Sequence, residues 1–371
     1  MAYKYTHFIP QNIAPPGAKR IGVYDGDDKK ICSIPLGGLT PPSAEPLYSF
    51  GLISDTHTFM SATNWDGNTK LDNALTYFEN RNMAMVIGCG DFCQTGFYRK
   101  NESSSDITLD DGTVISPGGT WFDDSQMTTY QGIRAKHTIS VFELFGNHEN
   151  YANKNITLHL DLAKEYTGIP ATAYTVSSNP ATDEVTGTTV RPNRQVSAVG
   201  DDLFILCGQP SGSYVMSDDD FSWLAATLEA NKDRRCFIFV HAYIEEDSGD
   251  PCDVRENSIF DLWGTSKKTA FMNLLKQYPN VVLFHGHSHM KFQYQEYDVN
   301  ANYTERNGFK SVHVPSLGVP RDINFETNKS QDDWYASQGY IVDVHEDHIV
   351  LNGMDFVAGT CVPLGVYRIH T

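Results

Sequence analysis

The chain has 371 residues, of which 40 % are apolar, 12 % aromatic and 20 % charged, so it can bury a large core and is no disordered polymer. Its 46 acidic residues against 28 basic ones leave a net charge of −18, which argues against a protein that grips nucleic acid by neutralising backbone phosphates. No run reaches the roughly 18–20 uninterrupted apolar residues of a membrane span. The N-terminal MAYKYTHFIPQNIAPPG has no apolar signal-peptide core, and the seven cysteines (Cys32, Cys89, Cys93, Cys207, Cys236, Cys252, Cys361) are scattered without a CxxC pair. Both features predict a cytoplasmic protein with reduced thiols.

In chain order, residues 1–46 are rich in Pro and Gly and predict an arm or small β appendage with strands at 20–24 and 30–34. A larger domain, 47–371, follows. An apolar run at 50–53 ends in Ser54-Asp55, as a buried strand does at a sheet edge. A helix at 70–80 and a strand at 83–89 complete a βαβ unit. The pattern continues with a strand at 139–144, helices at 156–166 and 218–230, a strand at 236–240, a helix at 267–277 and a strand at 281–284. Such alternation predicts an α/β fold with a largely parallel sheet. The stretches 172–208, 291–316 and 339–370 predict a second, antiparallel sheet packed on the first. Two aperiodic insertions, at about 95–137 and 243–265, are long enough to be functional loops.

Five polar clusters fall at the C-terminal ends of these strands, where open α/β sheets place ligands. They are Asp55-Thr56-His57, Gly90-Asp91, Gly146-Asn147-His148-Glu149, His241 and Gly286-His287-Ser288-His289. Each alone reads as a satisfied polar residue. Together they collect imidazoles, carboxylates and an amide oxygen, the donors divalent transition metals favour. Residues two apart on an extended segment face the same way, so Asp55 with His57, and His287 with His289, are expected to share one pocket. The donors are too many for one ion and suit two ions sharing a carboxylate.

The order Asp-x-His, Gly-Asp, Gly-Asn-His-Glu, His, Gly-His-x-His resembles the calcineurin-like metallophosphoesterase superfamily over about residues 48–289. Further likenesses are Phe221-Ser222-Trp223-Leu224, in a helix before the His241 strand, and the strand-rich ending 339–367, which resembles bacterial and phage-encoded members. The resemblance implies a four-layer α/β/β/α sandwich of two mixed sheets flanked by helices. It implies two divalent transition-metal ions (manganese, iron or zinc): Asp55, His57 and His289 on one, Asn147, His241 and His287 on the other, with Asp91 bridging. It also implies hydrolysis of a phosphate ester, a phosphodiester or small phosphomonoester, by in-line attack of a metal-bridging hydroxide. His148 would assist the leaving group as a catalytic residue beside Asp91. A non-catalytic interaction module or phage-structural component that keeps the fold is the competing reading. In that setting residues 1–46 would tether the chain to a larger assembly or phage particle.

Departures from the family pattern narrow the expectation. Gln94 stands three residues after Asp91, where purple acid phosphatases carry a tyrosine. Ala242-Tyr243 replaces the common x-Pro after His241, and no Arg follows Gly-Asn-His-Glu within a turn. His285 and Cys89 read as strand packing, Cys93 as an oxidation-sensitive neighbour, and Glu149 as a hydrogen-bond support for the His148 loop. The run 218–220 reads as solvated surface at a helix N-terminus. The acidic loop Glu245-Glu246-Asp247 reads first as a solvated loop tip, with repulsion of highly charged phosphates, which favours diesters, as the functional alternative. Trp121, Phe122 and Tyr243 could stack on an aryl or base group.

Overall fold

The computed structural model describes residues 20–24, 30–35, 45–58, 67–94, 98–122, 125–150, 194–208, 216, 218–241, 265–296, 300–324 and 329–371. The helix expected at 156–166, the acidic loop 245–247 and Tyr243 lie outside them.

Strands β1 (Arg20–Tyr24) and β2 (Lys30–Pro35) pair as an antiparallel hairpin. The chain then runs through β3 (Tyr48–Ile53), α1 (Gly67–Asn80) and β4 (Val86–Gly88). The first insertion holds β5 (Tyr98–Lys100), β6 (Ile107–Thr108), β7 (Val114–Ile115), β8 (Thr120–Phe122) and α2 (Ser125–Arg134). Next come β9 (Val141–Glu143), β10 (Gln195–Val199), β11 (Asp202–Cys207), α3 (Asp218–Ala230), β12 (Cys236–Val240), α4 (Thr265–Leu275) and β13 (Val281–His285). The last elements are β14 (Tyr303–Thr304), β15 (Lys310–His313), β16 (Arg321–Asn324), β17 (Lys329–Asp332), β18 (Gln338–Val344), β19 (His348–Asp355) and β20 (Thr360–His370).

Two six-stranded sheets result, ordered β20-β19-β18-β3-β4-β9 and β10-β11-β12-β13-β15-β14. Both are mixed. The parallel strands are split between them, β3, β4 and β9 in one and β11, β12, β13 and β15 in the other. The expected division into one parallel and one antiparallel sheet is therefore corrected, because hydrophobic pattern marks a strand but not its neighbour.

Side-chain alternation makes the layers. Phe50, Leu52, Phe204, Phe237, Phe239, Phe284, Tyr340 and Val342 point between the sheets into one aromatic-rich core. The opposite face of the first sheet packs Ile53, Val86, Val141 and Ile341 against Leu71, Leu75 and Phe78 of α1 and Tyr130 and Ile133 of α2. The outer face of the second packs Leu203, Ile205, Ile238 and Leu283 against Trp223, Leu224 and Leu228 of α3 and Phe271 and Leu275 of α4. Three cores between four layers give the α/β/β/α sandwich. The first insertion was expected to be aperiodic, yet it contains α2, whose inward residues Gln126, Tyr130 and Ile133 include too few apolar groups to mark a helix by pattern. Asp220 likewise departs from the solvated reading: it is buried and pairs with the Arg194 guanidinium.

At the edge away from the clusters, a polar clasp joins the sheets. Arg235 donates Nε and Nη2 to the Asp202 carboxylate at 2.8 and 2.6 Å, and Tyr48 on β3 donates to Asp202 Oδ2 at 2.6 Å. The same guanidinium reaches His345 O at 2.7 Å and Thr371 Oγ1 at 3.0 Å. Removing one member of such a desolvated pair strands the other charge. Arg235→Met should lower the unfolding free energy by about 3–5 kcal/mol in urea titration, and an unchanged midpoint would show that the clasp adds nothing.

Candidate metal centre

All five clusters lie beyond the C-terminal ends of parallel strands, at the seam between the two sheets. Asp55 and His57 follow β3, Asp91 follows β4, and Asn147 and His148 follow β9. His241 follows β12, and His287 and His289 follow β13. Their convergence does not come from extended backbone, as the spacing suggested. Each strand has ended, and Asp55 (φ 49°), His57 (φ 50°), Asp91 (φ 54°), His287 (φ 71°) and His289 (φ 63°) all adopt left-handed conformations. That turns their side chains inward from loops.

The donor atoms form two groups that share a residue. Asp55, His57, Asp91 and His289 bring one donor each to within 4.8 Å of one another, and so do Asp91, His241 and His287. In the first group His289 Nε2 is 3.1 Å from Asp55 Oδ1 and 3.1 Å from His57 Nε2. In the second His241 Nε2 is 3.0 Å from Asp91 Oδ2 and 2.9 Å from Asn147 Oδ1. These contacts are informative because the outer ring nitrogens are already used. His241 Nδ1–H donates to Cys89 O at 2.7 Å and His289 Nδ1–H to Val319 O at 3.0 Å. With Nδ1 engaged in this way, each Nε2 is the ring atom turned toward the carboxylate and amide oxygens. Asp55 Oδ1 and Asp91 Oδ2 are buried, and the polar atoms that face them are imidazole nitrogens. Oxygen and nitrogen acceptors aimed at common points fit divalent cations.

Burial and mutual charge shift the titration of several of these groups. Burial works against ionisation of Asp55, but the charges of His289, His241 and His57 outweigh it and keep its pKa well below the usual range. Asp91 is lowered in the same way, chiefly by His241 and His148 against burial. Burial, reinforced by the neighbouring imidazoles His148 and His289, holds His57 well below its ordinary value. Burial and His241 bring His287 down to about 3. His241 is the exception: burial lowers it, but Asp91 and Asp55 prevail and raise it to about 9.

His148 is set apart from the donors. Its side chain is 17 % exposed against 2 % for His57 and 0 % for His241. Its Nδ1–H donates to Gln94 O, and Nε2 lies 3.9 Å from Asp91 Oδ2. Its backbone N–H donates to Asp91 Oδ1 at 2.8 Å. His285 ends β13 buried, with its ring 5.6 Å from that of His313. Cys89 and Cys93 are fully buried, which shields Cys93 from oxidants.

Glu149 is fully buried and accepts three backbone N–H groups, from Asp91 (3.0 Å), Gly146 (2.7 Å) and Cys93 (3.0 Å). Burial and the Asp91 charge push its carboxyl up to about 8 against the pull of these amides. It ties the Asp91 loop to the Asn147 loop. The residues sequence reasoning missed are those of the turn after β15, where Ser316, Gly318 and Val319 touch the Asp55 and His289 segments. Nothing but a Gly-x-Pro turn signal marks them in the sequence. Glu149→Ala would leave three buried donors without their acceptor, so it should cost at least about 3 kcal/mol in denaturant unfolding. Wild-type stability in that variant would refute the clamp.

Comparison with family models matches residues 48–291 to the calcineurin-like phosphoesterases. Comparison with curated protein sequences gave no match. Among solved structures, a dimetal phosphatase from Danio rerio aligns at 13 % identity and a TM-score of 0.50, covering 88 % of this chain and 99 % of that one. A purple acid phosphatase from yellow lupin (Lupinus luteus) seeds aligns at 13 % identity and a TM-score of 0.50, over 95 % of this chain and 59 % of that one. These structural likenesses concern the fold. The family match spans most of the chain and includes every donor named above, so the chain belongs to the calcineurin-like phosphoesterases, a family of metal-dependent enzymes.

Proposed function

We propose that the chain hydrolyses a phosphodiester or small phosphomonoester at a two-ion centre. The observation that carries this is the place of Asp91 in both donor groups, the arrangement expected of a carboxylate bridging two ions. Asp55, His57 and His289 would hold one ion, and Asn147, His241 and His287 the other. Manganese, iron and zinc all suit such donors. When bound, two such ions supply Lewis acidity toward phosphoryl oxygens and lower the pKa of water.

The protein's own part is positioning and proton delivery. Asp91 is held through its Oδ1 by the His148 N–H, leaving Oδ2 turned to the shared point. His148, anchored through Nδ1–H to Gln94 O, presents Nε2 at the more exposed side of the cluster. As an imidazolium it can give the Nε2 proton to a departing alkoxide. The acidic run Glu245-Glu246-Asp247, in the segment that follows His241 in the chain, would repel the extra charge of a dianionic monoester and so favour diesters.

A panel of bis-p-nitrophenyl phosphate, p-nitrophenyl phosphate, cyclic nucleotides and glycerophosphodiesters, each assayed with added manganese, iron or zinc, tests the reading. The diester should be turned over faster than the monoester. His148→Ala should lower kcat by about 10²–10⁴-fold with metal content unchanged by plasma mass spectrometry, whereas Asp91→Asn should lose metal and activity together. Inactivity on every ester with every metal would favour a binding module instead.

A further inference from the structure

Residues outside the family-matched segment close one side of the centre. After β15 the chain turns through Ser316, Leu317, Gly318 and Val319 before β16, and this turn is wedged between the Asp55 and His289 segments. Leu317 N–H donates to Ser54 O at 2.8 Å and Gly318 N–H to Asp55 O at 3.1 Å. The fully buried Ser316 hydroxyl donates to Asp55 O at 2.8 Å and accepts Val319 N–H at 2.8 Å. Val319 O then receives His289 Nδ1–H, and Arg321 N–H donates to His289 O at 2.7 Å. The fit is close: a Cβ at Gly318 would lie 2.1 Å from Thr56 O. From the other side Lys70, in the first turns of α1 and only 3 % exposed, donates Nζ to Gly318 O at 2.7 Å.

We propose that the 316–319 turn is the positioning element of the Asp55–His57–His289 donor group, and that Ser316 and Lys70 set the affinity for one ion separately from the other. The second group is braced by different contacts. His241 leans on Cys89 O, and the loops of Asp91 and Asn147 are tied by Glu149. Loosening the turn frees the Asp55 carbonyl and the His289 ring, two left-handed residues that otherwise have cheaper conformations to relax into. The inference rests on the two-ion reading given above.

The test uses the full chain and manganese(II). Ions bound at equilibrium dialysis are counted by plasma mass spectrometry, with electron paramagnetic resonance on the same samples. Wild type should bind two ions with the signal of a coupled pair. Ser316→Ala and Lys70→Met should each keep one tight ion and bind the other about 10–100-fold more weakly. The isolated six-line manganese signal should then appear, with the metal-free variants still folding cooperatively. Equal weakening of both ions, unchanged affinities, or unfolding of both metal-free variants would overturn the inference. A wild-type chain that binds fewer than two ions would overturn the two-ion reading itself, whereas unaltered variants of a two-ion wild type overturn only the role of the turn.

Discussion

The centre depends on backbone held where side-chain-bearing residues resist going. Among the described residues six non-glycines have positive φ, and five of them are metal-donor candidates: Asp55, His57, Asp91, His287 and His289. Each such conformation costs about 1–3 kcal/mol and persists only where surroundings over-determine it. Here the surroundings are hydrogen bonds from neighbouring loops. Asp55 N–H donates to Gly90 O, His57 N–H to Asp91 O, and His287 N–H to Asp55 Oδ2. The donor segments thus brace one another, and Glu149 and the 316–319 turn brace them from outside.

Close approach of these loops explains the glycines among the donors. A Cβ at Gly286 would meet Ser54 Oγ at 1.8 Å, and one at Gly146 would meet Asp91 Oδ1 at 2.2 Å. Gly90 has φ 91°, and a Cβ there would lie 2.8 Å from both Gly146 N and His241 Nδ1. Glycine at these positions lets one donor loop lie directly on the next, so the layered sandwich behind them can remain an ordinary apolar packing problem.

The donors themselves were legible from sequence because their types and order are chemically unusual: Asp55, Asp91, Asn147, His241 and the His287–His289 pair come together as the five clusters suggested. The alternation of apolar runs gave the strands of the seam, and the four layers followed from the family resemblance. What could not be read was how the side chains are aimed. Two-residue spacing suggested strand geometry, whereas left-handed loops do the work, and backbone angles leave little trace at Asp or His. Sheet partnership was equally hidden, since β11 and β15 look like any other strand until their parallel neighbours are known. Ser316 and Lys70 act through main-chain atoms of distant segments, and a contact to a carbonyl carries no signature in residue type.

The supports chosen for the histidines also bear on how so acidic a protein can attract phosphate. His241 and His289 donate their outer N–H groups to carbonyls, Cys89 O and Val319 O, rather than to carboxylates. A carboxylate there would make the ring a stronger donor while adding a negative charge beside the ions. Neutral carbonyls fix tautomer and direction without that charge. Asp55 and Asp91 are then the anionic members of the donor set, and two divalent ions would bring about +4 against their two charges. With such ions bound, the centre would keep a positive balance at the seam while the net −18 belongs to the chain as a whole. Attraction of a phosphoryl group is thus a local property, set by which atoms stand behind the imidazoles.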